Sequence, residues 1–318
     1  MRLVTINDVR AAARRIDGLV TRTPLLSCPW ADDALPLWVK AESLQPIGVF
    51  KIRGASNAVA LLTDEQRARG VVTHSSGNHA RALAWAGRAA GVAVTVVMPE
   101  AAPAVKVDAT RALGAEVIIV SPAERDSAAE QVAAERGAVL VPPYDDPAVI
   151  AGQGTLGLEI AEDLPDVAAV LVPVSGGGLI SGVAVAVKAL CPTAHVIAVE
   201  PELAGDLAES FWSGERVTWP VEQTYRTIAD GLRVSPVGEL AWQHIREYVD
   251  DVVTVSEDGI RAAMRELALG SRLVAEPSGA TAVAGYLEHR ERLPAGRTVA
   301  VLSGGNVDPA LMASVLAG

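Results

Sequence analysis

A lysine inside an apolar turn is the first residue that could do chemistry. Lys51 follows Phe50 in the stretch QPIGVFKIRGA, residues 45–55. A lysine amine attacks carbonyl groups only when it is neutral, and burial among apolar neighbours favours the neutral form. A neutral amine there could form a Schiff base with an aldehyde cofactor. Taken alone, a lysine in such a stretch is more often a surface residue whose aliphatic stem covers apolar neighbours. Lys51 by itself therefore does not establish a cofactor site, and other residues must support it.

A glycine-rich turn stands between a predicted strand and a predicted helix in VPVSGGGLISG, residues 172–182. Glycines let the N–H groups of residues 175–178 turn toward one point at a helix N-terminus, which suits an anion such as phosphate. A tight turn that binds nothing is the simpler interpretation. A dinucleotide site is a third, because Glu200 ends the next strand where a ribose-binding acid would stand. Ser181 replaces the third glycine of that motif, which weakens the dinucleotide interpretation.

The stretch THSSGNHA, residues 73–80, brings two hydroxyls, an amide and an imidazole to the start of a predicted helix. Backbone N–H groups at such a position suit a carboxylate. The alternative is an ordinary helix cap made by Ser75 or Ser76. His79 by itself is more often a hydrogen-bonded polar residue than a base.

Two further polar stretches stand where elements begin or end. Ser303, in LSGGN, ends the last predicted core strand, and Glu276, in EPSGA, precedes a helix. Each has a plain interpretation, a simple turn for the first and an acid at a helix N-terminus for the second.

Composition excludes several classes of protein. Half of the 318 residues are apolar and 20% are charged, which predicts a folded chain with a sizeable core. A net charge of −11 argues against a nucleic-acid partner. The two cysteines, Cys28 and Cys191, form no metal or disulfide pattern and are predicted to be buried. The chain shows no secretory segment and no membrane-spanning apolar run, so we expect a cytoplasmic protein without a membrane partner.

Short apolar runs alternate with alanine-rich helical stretches along the chain. The runs VVTH (71–74), VAVTVVMP (92–99), AAVLVPV (168–174) and HVIAVE (195–200) are continuous rather than alternating, which indicates parallel strands buried on both faces. Two series of such units, with a break near residues 143–150, predict an α/β protein with two open, twisted, mostly parallel sheets flanked by helices. Ligands of such sheets bind at the carboxyl ends of strands, where the polar stretches above lie.

Together these stretches resemble the serine/threonine dehydratase and serine racemase family, pyridoxal-phosphate enzymes of the tryptophan-synthase-β fold type. The similar stretches follow in order along nearly the whole chain: RTPLLS (22–27), KAESLQPIGVFKIRGA (40–55), THSSGNHA, VIAGQGT (149–155), SGGGLISG (175–182), TIADGL (227–232), EPSGA and SGGN. His79 points to the dehydratase branch. The resemblance implies a large cofactor-binding domain of residues 1–70 and 147–318, and a small mobile domain of residues 71–146.

The resemblance implies a role for each polar stretch around the cofactor. Lys51 would hold pyridoxal phosphate covalently, Phe50 would pack on its ring, and Asn78 would bond its ring hydroxyl. Ser303 would face the pyridine nitrogen, and the residues of the glycine-rich turn would cradle the phosphate. The implied cofactor contacts are Phe50, Lys51, Asn78, Ser175, Gly176, Gly177, Gly178, Leu179 and Ser303.

The resemblance also implies substrate and cation sites. The substrate carboxylate would lie on Ser75, Ser76, Gly77 and His79, with Arg125 nearby. Ser76 would return a proton from the opposite face in a racemisation. The stretch VEPELAGD places Glu200, Ala204 and Asp206 at the spacing of a divalent-cation site, and two carboxylates with a backbone carbonyl suit Mg²⁺ or Ca²⁺. The alternative is a pair of surface acids.

The predicted activity is a pyridoxal-phosphate-dependent β-elimination. A β-hydroxy amino acid such as L-threonine or L-serine would yield a 2-oxo acid and ammonia. The alternatives are a racemase, a nicotinamide-dependent oxidoreductase built on the glycine turn and Glu200, and a cofactor-binding protein without catalysis. The expected partners are the small amino-acid substrate and, by family likeness, a second copy of the chain in a homodimer.

Overall fold

The structure is a computed structural model that describes residues 2–75, 77–102, 104–121 and 124–318. Its strands are β1 (Leu25–Ser27), β2 (Leu37–Ala41), β3 (Val71–His74), β4 (Val94–Pro99), β5 (Glu116–Val120), β6 (Val139–Leu140), β7 (Val167–Pro173), β8 (His195–Pro201), β9 (Asp251–Val255) and β10 (Arg297–Leu302). Its helices are α1 (Ile6–Ile16), α2 (Lys51–Ala60), α3 (Asp64–Arg69), α4 (Asn78–Ala90), α5 (Ala104–Ala112), α6 (Arg125–Arg136), α7 (Pro147–Asp163), α8 (Gly178–Leu190), α9 (Asp206–Ser213), α10 (Val221–Thr224), α11 (Glu239–Tyr248), α12 (Glu257–Gly270), α13 (Pro277–Glu288) and α14 (Pro309–Ala317).

The strands form two separate sheets. The larger has the order β1-β2-β10-β7-β8-β9 and the smaller the order β5-β4-β3-β6. Every strand pair is parallel except β1 with β2. The predicted fold class, α/β with two mostly parallel sheets flanked by helices, is confirmed.

The larger sheet is buried on both faces, as its continuous apolar strands predict. Along β7, Val170 and Val172 pack toward the side that carries α7 and α8, in one apolar cluster. Ala169 and Leu171 point the other way and pack with residues of α12 and α13. Since β7 is covered on both faces, its sequence VAAVLVP is apolar throughout and lacks the alternation of a half-exposed strand.

The smaller sheet is built in the same way. Val71, Val94 and Val96 pack against α2 and α4 on one face. On the other face Val72 and Val97 pack against α6. All four strands of this sheet lie between residues 71 and 140, but the predicted domain boundaries and the mobility of the smaller domain stay predictions.

Two features of the strands differ from the sequence pattern. The β1–β2 pair was not predicted, and the apolar run AVLVPP at residues 138–143, whose composition also predicts a strand, contributes only the two-residue strand β6. The N–H of Val141 still donates to the carbonyl of Val72 at 2.8 Å, but Pro142 and Pro143 come next and cannot donate a ladder hydrogen bond, so the pairing ends there. Among the described residues, no helix is both long and apolar enough to cross a membrane.

Candidate active site

Lys51 is the first residue of α2 and is held at its amine. Its Nζ donates a hydrogen bond of 2.6 Å to the backbone carbonyl of Pro143. The side chain is partly buried, and removal from water lowers its pKa from 10.5 to about 8. A lysine with this pKa has a substantial neutral fraction near physiological pH, as a carbonyl nucleophile requires. The structure therefore supports the chemical character that the sequence predicted for Lys51.

The turn before α2 brings Phe50 and Ser303 together. The N–H of Phe50 donates to the carbonyl of Ser303 at 3.0 Å, and Val49 forms an antiparallel bridge with Gly304. The Nζ of Lys51 lies 5.2 Å from the centre of the Phe50 ring. Ser303 is 4% exposed at the end of β10. Two stretches separated by some 250 residues in the chain thus form one wall of the site.

The glycine-rich turn lies at the N-terminus of α8. Gly177 has φ +87° and precedes the helix, which begins at Gly178. The N–H groups of Gly176 and Gly177 have no hydrogen-bond partner among the described residues, whereas the hydroxyl of Ser175 accepts from the N–H of Val234 at 3.0 Å. Unpaired N–H groups at the positive end of a helix dipole form a site for an anion. Leu179, in the first turn of α8, is buried.

Tyr144 packs on this turn and was not predicted. A Cβ added to Gly176 would lie 2.4 Å from the Tyr144 ring, and one added to Gly178 would lie 2.7 Å from the Tyr144 carbonyl. Tyr144 follows Pro143, which binds Lys51. The segment after β6 therefore links the lysine to the glycine-rich turn. The rule that strand-end loops carry chemistry could have found it, since VPPYDDP follows an apolar run.

Asn78, at the start of α4, is held at both ends of its amide. Its Nδ2 donates to Glu276 Oε1 at 2.7 Å, and its Oδ1 accepts from Asn306 Nδ2 at 2.8 Å. Glu276 is 5% exposed, and burial, followed by the charge of Asp230, raises its pKa to about 7. Its side chain makes no hydrogen bond to the start of α13. Glu276 is therefore more than an acid at the N-terminus of its own helix, because its side chain also orients Asn78.

The loop before α4 is described only in part. Ser76 lies outside the described residues. The N–H of Gly77 donates to Ser75 Oγ at 3.3 Å, and both residues are partly buried. His79 is 2% exposed, and its Nε2 is 3.1 Å from the carbonyl of Val141. Since a carbonyl only accepts, Nε2 of His79 carries the proton. The substrate contacts predicted for this loop stay predictions.

His79 is held neutral by its surroundings. Burial, followed by the charge of Lys51, lowers its pKa to about 3. Its Nδ1 is buried without a hydrogen-bond partner among the described residues. A neutral imidazole that donates to Val141 fixes the first turn of α4 against the end of β6.

Arg125 is the first residue of α6 and is partly buried, and its predicted place near the substrate stays a prediction.

Two acids meet at the end of β8. Glu200 and Asp206 are 1% and 2% exposed, and Ala204 is buried between them in sequence. The Glu200 carboxylate accepts from the N–H groups of Leu207 and Ala208, at 3.3 and 2.9 Å. Burial and then the charge of Asp206 raise the pKa of Glu200 well above its usual value, and burial raises that of Asp206 to about 6. The pair is not on the surface, so the alternative of two solvated acids is wrong.

Comparison with known proteins agrees with this geometry. The family model described as pyridoxal-phosphate dependent enzyme matches residues 16–304. The chain is 42% identical to the L-threo-3-hydroxyaspartate ammonia-lyase of Saccharomyces cerevisiae, over 99% of this chain and 97% of that protein. It is 42% identical to the catabolic L-threonine dehydratase TdcB of Escherichia coli K12, over 96% and 94% respectively.

A solved structure extends the likeness to the backbone. The structure of maize serine racemase superposes with a TM-score of 0.93 at 39% identity and covers 99% of this chain and 98% of that one. The matches span both sheets and every polar stretch of the site. They decide against the nicotinamide interpretation of the glycine-rich turn, and the chain belongs to the family of pyridoxal-phosphate dependent enzymes.

Proposed function

We propose that this chain is a lyase that removes water and then ammonia from a β-hydroxy amino acid such as L-threonine or L-serine. The observation that carries the proposal is the partly buried Lys51 amine, which donates to Pro143, whose neighbour Tyr144 packs on the glycine-rich turn. The likeness to an ammonia-lyase and a dehydratase of amino acids supports the same activity.

The residues present fit pyridoxal phosphate. An aldehyde reacts with a neutral amine, and a pKa of about 8 gives Lys51 a much larger neutral fraction near physiological pH than an ordinary lysine has. A phosphate needs several converging N–H donors, and those of Gly176 and Gly177 are unpaired among the described residues. When bound, the cofactor supplies an electron sink that stabilises negative charge on the substrate Cα.

The remaining chemistry falls to side chains of the chain. The amine of Lys51, once released, takes the proton from the substrate Cα. Asn78 is oriented by Glu276 and Asn306, and by family likeness its amide would bond the ring hydroxyl. By family likeness, the buried and neutral hydroxyl of Ser303 would face the pyridine nitrogen and would leave that nitrogen largely unprotonated. A neutral partner such as Ser303 would make the bound cofactor a moderate electron sink, which favours prompt loss of the β-hydroxyl.

The atoms of the reaction balance without a further reactant except water. The α-proton and the β-hydroxyl leave as one water molecule, and the product is an enamine. The enamine takes up one water molecule and releases ammonia, which leaves the 2-oxo acid.

The experiment that tests this function is an assay of ammonia and 2-oxo acid release. L-threonine, L-serine and L-threo-3-hydroxyaspartate form the panel, and Lys51→Ala is the matched inactive control. We expect release from at least one of them by the wild type and none by the variant. Borohydride reduction followed by peptide mass mapping should place the pyridoxyl group on Lys51. No release from any of the three, or a label on another lysine, would contradict the proposal.

Racemisation is a second candidate activity, supported by the likeness to maize serine racemase. Elimination needs no acid on the face opposite Lys51, whereas inversion does. We infer that Ser76 is that acid. Ser76→Ala should then abolish inversion of serine and turnover of D-serine while L-serine dehydration persists. If Ser76 only binds the substrate carboxylate, both activities should fall together through a raised KM.

A divalent cation at Glu200 and Asp206 completes the proposal. Both carboxyl groups are buried, and the charge of one disfavours the charge of the other. A cation between them would offset this repulsion. Mg²⁺ or Ca²⁺ should raise the melting temperature of the wild type more than that of Asp206→Ala, since a ligand that binds only the folded state stabilises it. Equal shifts would remove the cation from the proposal.

The oligomeric state and location complete the expectations. We propose a cytoplasmic homodimer, which rests on family likeness and composition. Light scattering of the purified protein should give twice the chain mass of 33.0 kDa.

A further inference from the structure

A four-residue segment joins the two sheets next to the active site. It comprises Pro143, Tyr144, Asp145 and Asp146, follows β6 of the smaller sheet and leads into α7; we call it the strap. Each of its residues makes a contact at a different element. Pro143 binds Lys51 through its carbonyl, Tyr144 packs on the glycine-rich turn, and Asp146 caps α7 by accepting from the N–H of Val149 at 2.9 Å.

Asp145 contacts the start of α11. Its Oδ2 accepts from the N–H of Glu239 at 2.9 Å, and its Oδ1 accepts from the N–H of Ala241 at 3.0 Å. These are N–H groups of the first turn of α11, which have no partner inside the helix. The residue before the helix is Gly238, which has no side chain to cap it. Asp145 therefore caps α11 from more than 90 residues away in the chain.

The start of α11 in turn supports the glycine-rich turn. The N–H of Gly238 donates to the carbonyl of Gly176 at 3.1 Å. A Cβ on Gly177 would lie 2.6 Å from Val237 and 2.8 Å from Ala241, so α11 lies directly against the turn. Tyr144 packs on Gly176 and Gly178. The turn is thus enclosed by two elements, and the Asp145 carboxylate ties those two elements together.

We propose that Asp145 is a positioning residue for the phosphate of the cofactor. By fixing the strap to the start of α11, it holds the N–H groups of the turn in the orientation that binds an anion. The inference rests on the proposed phosphate role of the turn. It assigns to Asp145 no contact with the cofactor, only control over the geometry of the groups that make it.

Two other roles for Asp145 predict different behaviour. A cap that serves only the stability of α11 would change unfolding but not the preference for a phosphorylated ligand. A carboxylate that acts mainly through its charge would repel phosphate, so its removal would strengthen binding. The discriminating quantity is the ratio of the affinities for pyridoxal phosphate and for pyridoxal, because the two ligands differ only in the phosphate.

The experiment measures this ratio by absorbance and tryptophan-fluorescence titration of the cofactor-free protein. The variants are Asp145→Ala, Asp145→Asn and the control Asp308→Ala. Asp308 also accepts two backbone N–H groups at a helix start, those of Ala310 and Leu311 in α14. The control therefore removes the same kind of cap outside the strap and the turn. Circular dichroism checks the fold of each protein.

We expect Asp145→Ala to lower the ratio about fivefold, the change that would result if the typical free energy of one helix cap were lost from phosphate binding. Asp145→Asn keeps one acceptor oxygen, so its affinity ratio should lie between those of Asp145→Ala and the wild type. If Asp145→Ala does not fold, Asp145→Asn provides the test. Asp308→Ala should leave the ratio unchanged.

Three outcomes would overturn the inference. An unchanged ratio in Asp145→Ala, with a wild type that prefers the phosphorylated ligand, refutes the positioning role alone. A raised ratio in Asp145→Ala or Asp145→Asn shows that charge repulsion dominates. A wild type that binds both ligands equally refutes the phosphate role of the turn, and the positioning role with it.

Discussion

The pKa of Lys51 sets the pH at which the cofactor-free protein can react with an aldehyde. With a pKa of about 8, roughly one amine in ten is neutral at pH 7, whereas a lysine at 10.5 would have roughly one in three thousand. Only the neutral amine attacks the aldehyde. We therefore expect the rate of pyridoxal phosphate uptake to rise about tenfold per pH unit below pH 8 and to level off above it.

The same burial affects the stability of the cofactor-free protein. Between pH 8 and 10.5 the unfolded chain keeps a proton on Lys51 that the folded chain has lost. The unfolding free energy therefore rises with pH in this window, by up to about 3 kcal/mol in total. Below pH 8 both states are protonated and above 10.5 both are neutral, so Lys51 adds no slope there.

The assay compares denaturant unfolding of wild type and Lys51→Met from pH 7 to 10.5, beside the rate of cofactor uptake by the wild type. Lys188→Met is the control, because Lys188 lies in α8 and pairs with Asp250 at 2.7 Å. The wild type and the control should gain stability relative to Lys51→Met as the pH rises. Parallel pH profiles for wild type and Lys51→Met, or an uptake rate that still climbs at pH 10, would refute the reasoning.

Three further predictions follow from buried groups and backbone geometry. With a chelator present at pH 7, Asp206→Asn should have a higher melting temperature than the wild type. Burial raises the pKa of Asp206 to about 6, so its negative charge at pH 7 destabilises the folded state. A lower melting temperature for Asp206→Asn would contradict this. His244 accepts from the N–H of Val4 at 2.9 Å, and burial lowers the pKa of its imidazole. The wild type should therefore lose stability as the pH falls through about 6.5, where the unfolded chain takes up a proton. Thermal melting of His244→Gln should show a smaller loss. Gly177→Ala should cost about 1–3 kcal/mol in unfolding and weaken cofactor binding, since its φ is +87° and a Cβ would meet Val237. Gly214 has φ +78° with open space around it, so Gly214→Ala should show the cost of backbone strain without a change in cofactor binding. Equal cofactor affinity in Gly177→Ala and Gly214→Ala would contradict a role of the glycine-rich turn in binding.

The sheets were predictable because their strands are buried on both faces. Continuous apolar runs such as VVTH and HVIAVE became β3 and β8 within a residue at their ends. The pair β1–β2 was missed for a physical reason. β1 has three residues that are partly buried or exposed, so its sequence lacks the apolar run that marks a buried strand.

The site was predictable as a set of strand-end loops, but not as a set of contacts. Parallel strands bring their carboxyl ends to one edge, so the loops holding Lys51, Gly177 and Ser303 could be expected to lie together. The bond between Asn78 and Glu276 joins residues 198 positions apart. No local pattern specifies such a bond, because it depends on how the two sheets are placed. The same holds for Asp145, whose partners in α11 are set by tertiary packing.

The position of Lys51 depends on charges buried behind it. Arg53, two residues further along α2, is 0% exposed and pairs with Glu42 at 2.8 Å and with Glu159 at 2.6 Å. Lys40 also pairs with Glu159, at 2.6 Å, so the two cations and two acids balance. Such a network contributes little net stability compared with apolar packing, yet removal of one partner typically costs about 3–5 kcal/mol. Because its bonds join α2 to α7 and to the end of β2, we infer that the network fixes the orientation of this helix, in which Lys51 donates to Pro143 beside the residue that packs on the glycine-rich turn.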